Sequence, residues 1–312
     1  MSAATTPRRD WRHAARLAAF GLAVFGLLVG IPVFVNHVSL DPLGDAHAYY
    51  LAGQRLNEGV PLYHQPGATV AETYLYPPLL AILWRPLALL PMDTALAIWE
   101  VILVGALVVT FRGVLRDRRI LLLAGMIALP IGWAIAIGQA EVLIAGLLSV
   151  ATPFTVAFAG NIKIFPWLAA LIWLVTGDRR RLIRFVGWAL GLVVLQLVLE
   201  PANTLAYLQF EWLQPVLGVR SFSPLVVHPL AYVAVLALLV ALIVRYRRHA
   251  VAWPLTVTLV VFAYPRLLLY QLTTLLAMFG GPTRAAATTT ADAAEVSLDA
   301  ARPAGGLERT TI

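Results

Sequence analysis

Acidic and tyrosine side chains are concentrated in residues 36–76, directly after the first long apolar run of the chain. Asp41 and Asp45 stand at the start of this stretch, where a carboxylate at membrane level is partly removed from water. Desolvation raises the pKa of a carboxyl group and makes it a better proton acceptor near neutral pH. Both aspartates are therefore candidate general bases; the alternative is a solvated loop residue or a helix cap.

Tyrosines accompany these acids. Tyr49, Tyr50 and Tyr76 are candidates for stacking on a sugar face or contacting a lipid head group, because a phenol combines a flat apolar face with a polar tip. The alternative is an aromatic belt, in which tyrosines lie at the membrane–water interface without binding a ligand.

Lys163 is the only lysine among 23 lysines and arginines, and it lies in an apolar run, GNIKIFP at 160–166. A cation in such a run costs about 3 kcal/mol to insert into lipid, so it normally faces a cavity or a partner. A phosphate suits the compact charge of a lysine. The alternative is a side chain that extends along apolar surface to reach water.

Three further polar residues interrupt apolar runs. Arg266, beside Pro265, is a cation in an apolar stretch and is a candidate for binding substrate by the same argument as Lys163. Gln139 and Glu141 are candidates for hydrogen bonds between helices, and Gln139 is also a candidate substrate-binding residue. No histidine or acidic spacing is typical of a metal site, and no glycine-rich phosphate loop is present. We therefore expect no bound metal and no ATP-driven pump.

The amino-acid composition indicates that these residues belong to a helical membrane protein. The 312 residues are 60% hydrophobic and 12% charged, whereas soluble domains carry about 25% charged residues. Long continuous apolar runs favour helices over a β-barrel. We expect an all-α, polytopic transmembrane helical bundle of about eight to ten membrane segments, some short or broken. The net charge of +7 lies in arginine clusters between apolar runs, which indicates membrane topology and not nucleic-acid binding.

The apolar runs and the arginine clusters divide the chain into three parts. We expect residues 1–16 to form a basic cytoplasmic tail, 17–279 a transmembrane domain with an outer loop at 36–76, and 280–312 a disordered tail. We expect an uncleaved first helix, a helix over 45–56, and a short run over 79–90 that cannot span. Two half-helices should meet near Lys163, and Pro265-Arg266 should break the last apolar stretch.

Several motifs resemble one family. They are GDAHAYYLAG (44–53), GVPLY (59–63), YLYPPL (74–79) and RPLALLP (85–91). Together they resemble the polyprenol-phosphate-mannose-dependent mannosyltransferases of actinobacteria, glycosyltransferase family 87 of the GT-C superfamily. Gly138-Gln139 and the KIFP at 163–166 look like further family motifs, whereas Gln271 stands where the family often has an aspartate.

The resemblance implies a GT-C-like fold in the plasma membrane. It implies transfer of mannose from a polyprenyl phosphate, on the outer face, to a glycolipid or lipoglycan acceptor, with the lipid-linked sugar as substrate and no cofactor. Asp45 takes the position of the family's aspartate near the acceptor hydroxyl, with Asp41 as the second choice, and Lys163 matches a lysine suited to the donor phosphate. Inversion is expected. The alternatives are a transporter or flippase for polyprenyl lipids or small solutes, and a truncated, non-catalytic family member.

Overall fold

The computed structural model describes residues 42–63, 74–114, 128–209 and 221–281, together with a set of helical positions within 17–40. These residues form helices and contain no strand. The helices are α1 within 17–40, α2 Gly44–Glu58, α3 Pro78–Trp84, α4 Met92–Val114, α5 within 128–136, α6 Glu141–Val150, α7 Pro153–Ile162, α8 Leu171–Thr176, α9 Arg179–Leu199, α10 Pro201–Leu208, α11 Pro224–Val227, α12 Pro229–Arg245 and α13 Ala252–Phe262. Three 3₁₀ helices span Leu87–Leu89, Phe165–Ala170 and Leu269–Phe279.

Several polar residues lie inside the fold, and many large apolar residues lie on its outer surface. Gln139 and Glu141 are 0% exposed, whereas Val101 of α4, Val198 of α9 and Leu230 of α12 are each more than 70% exposed. Water would not stabilise such contiguous apolar faces, whereas hydrocarbon would. This distribution is typical of a membrane protein.

Two helices in the described part of the chain are long and apolar enough to cross a membrane. They are Met92–Arg112 within α4 and Arg179–Leu199, each of 21 residues with a mean hydropathy of 2.2. Of the shorter apolar helices, α6 packs against α4, whereas α12 and α13 pack against each other. The two long helices, together with the exposed apolar faces, indicate a membrane protein.

The predicted interruptions are present. α7 ends at Ile162, Lys163 is extended (φ −139°, ψ 133°), and a 3₁₀ helix follows from Phe165. The last apolar stretch divides into α13 and the 3₁₀ helix Leu269–Phe279, with Pro265-Arg266 between them. The short run over 79–90 divides into α3 and Leu87–Leu89, and α2 confirms the predicted helix over 45–56.

Other boundaries differ from the sequence-based expectation. The apolar run from Val142 to Ala157 is long enough for one helix, but Ala151 adopts a left-handed conformation (φ 51°) and Thr152 caps α7 by accepting from the Thr155 amide. Pro153 explains this break, because proline favours the first turn of a new helix. The segment 200–229 separates two long apolar runs and has the sequence pattern of a loop, but it contains α10 and α11. Asp41 and residues 280–312, apart from Gly280 and Gly281, lie outside the described residues.

α2 is anchored to the bend that follows α5. The backbone N–H groups of Asp45 and Ala46 donate to the Ile137 carbonyl over 3.0 and 3.2 Å, and the Leu43 N–H donates to the Ala136 carbonyl over 2.9 Å. Gly138 makes this close approach possible. It has φ +67°, and a Cβ built on it would lie 2.5 Å from the Ala46 Cβ. The bend therefore fixes the N-terminus of α2, where Asp45 lies.

We expect Gly138→Ala to displace α2. A left-handed alanine is strained by about 1 kcal/mol, and the clash with Ala46 adds about 1–3 kcal/mol. Gly59→Ala is the matched control, because Gly59 has a similar φ of +71° but no atom within 4 Å of an added Cβ. Thermal unfolding of the purified protein should show a clearly lower Tm for Gly138→Ala than for Gly59→Ala. Equal Tm values would contradict the close packing of the bend on α2.

Candidate functional site

The Asp45 carboxylate is held by a glutamine from the bend. Gln139 Nε2 donates to Asp45 Oδ2 over 2.8 Å, and Gln139 is fully buried whereas Asp45 is half-buried. The carboxylate is thus held by the protein and stays partly exposed. This arrangement suits an acid that must keep one orientation while a substrate approaches it.

Two tyrosines orient that glutamine. The Tyr49 and Tyr76 hydroxyls both donate to Gln139 Oε1, over 2.7 and 3.0 Å. Because the amide oxygen accepts from both tyrosines, its NH₂ group must point toward Asp45. Burial, and secondarily the neighbouring Tyr49 and Asp45, raises the pKa of Tyr76 well above its ordinary value. Tyr76 therefore stays protonated at neutral pH and keeps donating.

Lys163 forms a buried ion pair with the first residue of α6. Its Nζ lies 2.5 Å from Glu141 Oε2, and the exposed fractions of the two side chains are 7% and 0%. Glu141 Oε1 accepts from Thr274 Oγ1 over 2.6 Å and from the Tyr264 hydroxyl over 3.4 Å. Several partners thus compensate the desolvation of this carboxylate.

Tyrosine rings surround the ammonium group. Lys163 Nζ lies 5.0 Å from the ring centroid of Tyr76, 5.5 Å from that of Tyr264 and 5.6 Å from that of Tyr270. A cation is attracted to the faces of such rings. Tyr76 therefore contacts both halves of the site, because its hydroxyl bonds Gln139 and its ring lies beside Lys163.

These side chains line an open pocket. It has a volume of about 80 Å³, and its lining includes Tyr76, Lys163, Tyr207, Arg266, Tyr270 and Gln271. A space of this size holds several water molecules or one phosphoryl-sized group. Arg266 Nε is buried and has no hydrogen-bond partner among the described residues. A buried, unpartnered guanidinium N–H is an available donor for an anion.

The structure brings together five of the candidate residues identified from sequence: Asp45, Gln139, Tyr76, Lys163 and Arg266. Tyr49 lies beneath this group, fully buried, and its contacts position Gln139. Tyr50 lies apart from the group, and its hydroxyl donates to the Leu90 carbonyl over 2.9 Å. The catalytic role of Asp45 and the substrate-binding roles of the other candidates stay predictions.

Sequence reasoning did not find the partners from the C-terminal segment. Tyr264, Tyr270 and Thr274 reach Lys163 or Glu141 from segments more than 100 residues away. One signal was present, because Tyr264 and Tyr270 flank the Pro265-Arg266 interruption that the sequence already marked. Tyr207 lies on α10, outside the long apolar runs, and gave no such signal.

Buried polar groups at helix breaks, in a fold with exposed apolar helices, are typical of a membrane protein with an internal pocket. The profile of glycosyltransferase family 87 matches residues 74–268. The match covers more than half of the chain, so the chain belongs to glycosyltransferase family 87, and we assign it as a glycosyltransferase. The matched range includes Gln139, Lys163 and Arg266 but begins after Asp45. Neither a curated protein nor a solved structure matches the chain.

The ion pair predicts an unusual mutational pattern. We expect Lys163→Met alone to destabilise the protein by about 3–5 kcal/mol, because it leaves the Glu141 carboxylate buried without a counter-charge. The double variant Lys163→Met with Glu141→Gln should recover most of that loss, since the amide can still accept from Thr274. Thermal unfolding in detergent measures both. Equal destabilisation of the single and double variants would show that the pair is not coupled.

Proposed function

We propose that this protein transfers a sugar, mannose, from a polyprenyl-phosphate donor to a glycolipid or lipoglycan acceptor on the outer face of the plasma membrane. The observation that carries the proposal is one hydrogen-bonded and cation–π chain that runs from Asp45 through Gln139 and Tyr76 to Lys163. It supports a site in which Asp45 is the proposed proton acceptor and Lys163 the proposed phosphate-binding cation.

The pocket supports binding of the donor phosphate. Lys163 uses one direction of its ammonium group for Glu141, which leaves its other N–H groups for a ligand. Arg266 adds a second cation whose Nε has no partner in the described part of the chain. Together they offer the charge that a leaving phosphate requires, while the exposed apolar faces of neighbouring helices suit a polyprenyl tail.

The reaction follows from these positions. The acceptor oxygen bonds to the anomeric carbon of the sugar as its proton passes to the Asp45 carboxylate. The bond from that carbon to the phosphate oxygen breaks, and the phosphate retains its electron pair. Lys163 and Arg266 stabilise the charge that develops on the departing phosphate. The transition state is oxocarbenium-like, and a direct displacement of this kind inverts the anomeric configuration.

Two parts of the proposal, the outer face of the membrane and mannose as the sugar, are supported by the sequence alone. The arginines at the start of the chain favour a cytoplasmic N-terminus, so that the segment after α1 emerges outside. Mannose and the polyprenyl carrier rest on the resemblance of the motifs around Asp45, Tyr76 and Lys163. We propose several passes through the membrane, with α4 and α9 as the two long spans.

Transfer is testable with the labelled donor. Membranes that contain the protein should move label from radiolabelled polyprenyl-phosphate mannose into extractable glycolipid, whereas membranes from cells that lack it should not. Failure of the wild-type protein to label any endogenous acceptor would contradict the proposal. If label were transferred from polyprenyl-phosphate glucose and not from the mannose donor, glucose would replace mannose as the proposed sugar, and the proposed reaction would stand.

We expect Asp45→Asn to lower the rate of transfer by about 10²- to 10⁴-fold, because an amide cannot accept the proton of the acceptor hydroxyl. The side chain still accepts a hydrogen bond from Gln139, so expression and Tm should stay near wild type. Asp93→Asn is the matched control, since Asp93 is an exposed carboxylate in the first turn of α4. Retention of full transfer by Asp45→Asn would exclude it as the base.

We expect Arg266→Gln to lower kcat/KM for the donor by about 10- to 100-fold, because a charge-assisted bond to the phosphate is lost. KM for the acceptor should not change. Arg180→Gln, an exposed arginine of α9, is the control. An effect of Arg266→Gln confined to the acceptor would place the phosphate elsewhere.

A further inference from the structure

A second pocket lies between the C-terminal end of α2 and α10. Its volume is about 370 Å³, several times that of the first pocket, and neither Asp45 nor Lys163 lines it. Tyr63, Glu200 and Asn203 supply its polar lining, and Leu56, Val60 and Ala206 contribute apolar surface. None of the roles proposed above uses this space.

The polar lining is held in place by hydrogen bonds. Arg85 Nη1 donates to Glu200 Oε1 over 3.2 Å, Asn203 Nδ2 donates to Glu200 Oε2 over 3.0 Å, and the Leu62 N–H donates to Asn203 Oδ1 over 2.9 Å. A carboxylate oxygen accepts two hydrogen bonds, and an amide nitrogen donates two. Glu200 and Asn203 therefore keep capacity for a ligand while their geometry is fixed.

The charge of the pocket selects the kind of ligand. Glu200 is the charged residue among the described residues of its lining, and Arg85, which does not line the pocket, pairs with it. A carboxylate at the surface disfavours an anion such as a phosphate. Fixed hydroxyl-binding groups beside an aromatic ring and aliphatic side chains match a neutral polyol, since a sugar ring has hydroxyls at its edge and C–H groups on its face.

One aromatic layer separates the two pockets. The ring centroid of Tyr63, which lines the second pocket, lies 6.1 Å from that of Tyr207, which lines the first. The Tyr63 hydroxyl donates to the Tyr76 carbonyl over 2.7 Å. A glycan held in the second pocket would therefore lie beside the proposed site of transfer.

We propose that the second pocket binds a sugar residue of the acceptor glycan, at a distance from the hydroxyl that reacts. That this sugar belongs to the acceptor rests on the proposed function. Binding of a neutral oligosaccharide in the second pocket does not depend on it. Because Asp45 is absent from this lining, the pocket should distinguish long acceptors from short ones and leave the chemical step unchanged.

The first test is direct binding. Saturation-transfer NMR with mannotetraose, on the full chain in a sugar-free detergent, should show transfer for wild type. Ala202→Trp and Ala206→Trp each place an indole in the pocket, and both should abolish the signal. Leu205→Trp is the matched control, because it lies on the same helix, is 51% exposed and does not line the pocket. Absence of signal from wild type with mannotetraose, or an undiminished signal from Ala202→Trp, would overturn the proposal.

The second test is kinetic. With labelled polyprenyl-phosphate mannose as donor, Ala202→Trp should raise KM about tenfold for a glycolipid acceptor with four sugars. KM for an acceptor with one sugar, and hydrolysis of the donor without acceptor, should stay at the wild-type value. Equal effects on both acceptors would overturn the proposal. If wild type transfers no sugar, the proposed function fails, and the NMR measurement alone decides whether the pocket binds glycan.

Discussion

The ion pair between Lys163 and Glu141 is the interaction on which the interior of this protein depends. Two charges taken from water each cost several kcal/mol, and only close pairing with further hydrogen bonds offsets that cost. The pair joins the start of α6 to the end of α7, and Thr274 brings the C-terminal 3₁₀ helix to the same carboxylate. Three separate segments must therefore meet at one point, and the pocket forms where they meet.

Tyr76 links the ion pair to Asp45, the proposed base. Its ring lies beside the Lys163 ammonium, and its hydroxyl fixes the amide of Gln139, which in turn binds Asp45. Gly138 lets the bend that carries the glutamine approach α2 closely enough for this contact. The position of the acid thus depends on packing between α2, the bend and the cation site together, and not on its own loop alone.

The sequence predicted much of this arrangement, for identifiable physical reasons. Apolar runs and prolines located the helices and their breaks, and a lone lysine among apolar residues indicated a buried partner. The identity of that partner was not predictable, because Glu141 lies 22 residues earlier and Thr274 lies on a distant segment. Contacts between distant segments leave no periodicity in a single sequence. α10 was missed for a related reason, since its outer segment lacks the long apolar run that marks a spanning helix.

The most direct measurement is a structure of the purified protein with a non-reactive phosphonate analogue of polyprenyl-phosphate mannose. We expect the phosphonate oxygens to lie about 2.7–3.2 Å from Lys163 Nζ and the Arg266 guanidinium, with the anomeric carbon turned toward Asp45. A phosphonate bound away from both cations, or a sugar that faces away from Asp45, would contradict the central claim that one site joins this acid to a phosphate-binding pocket.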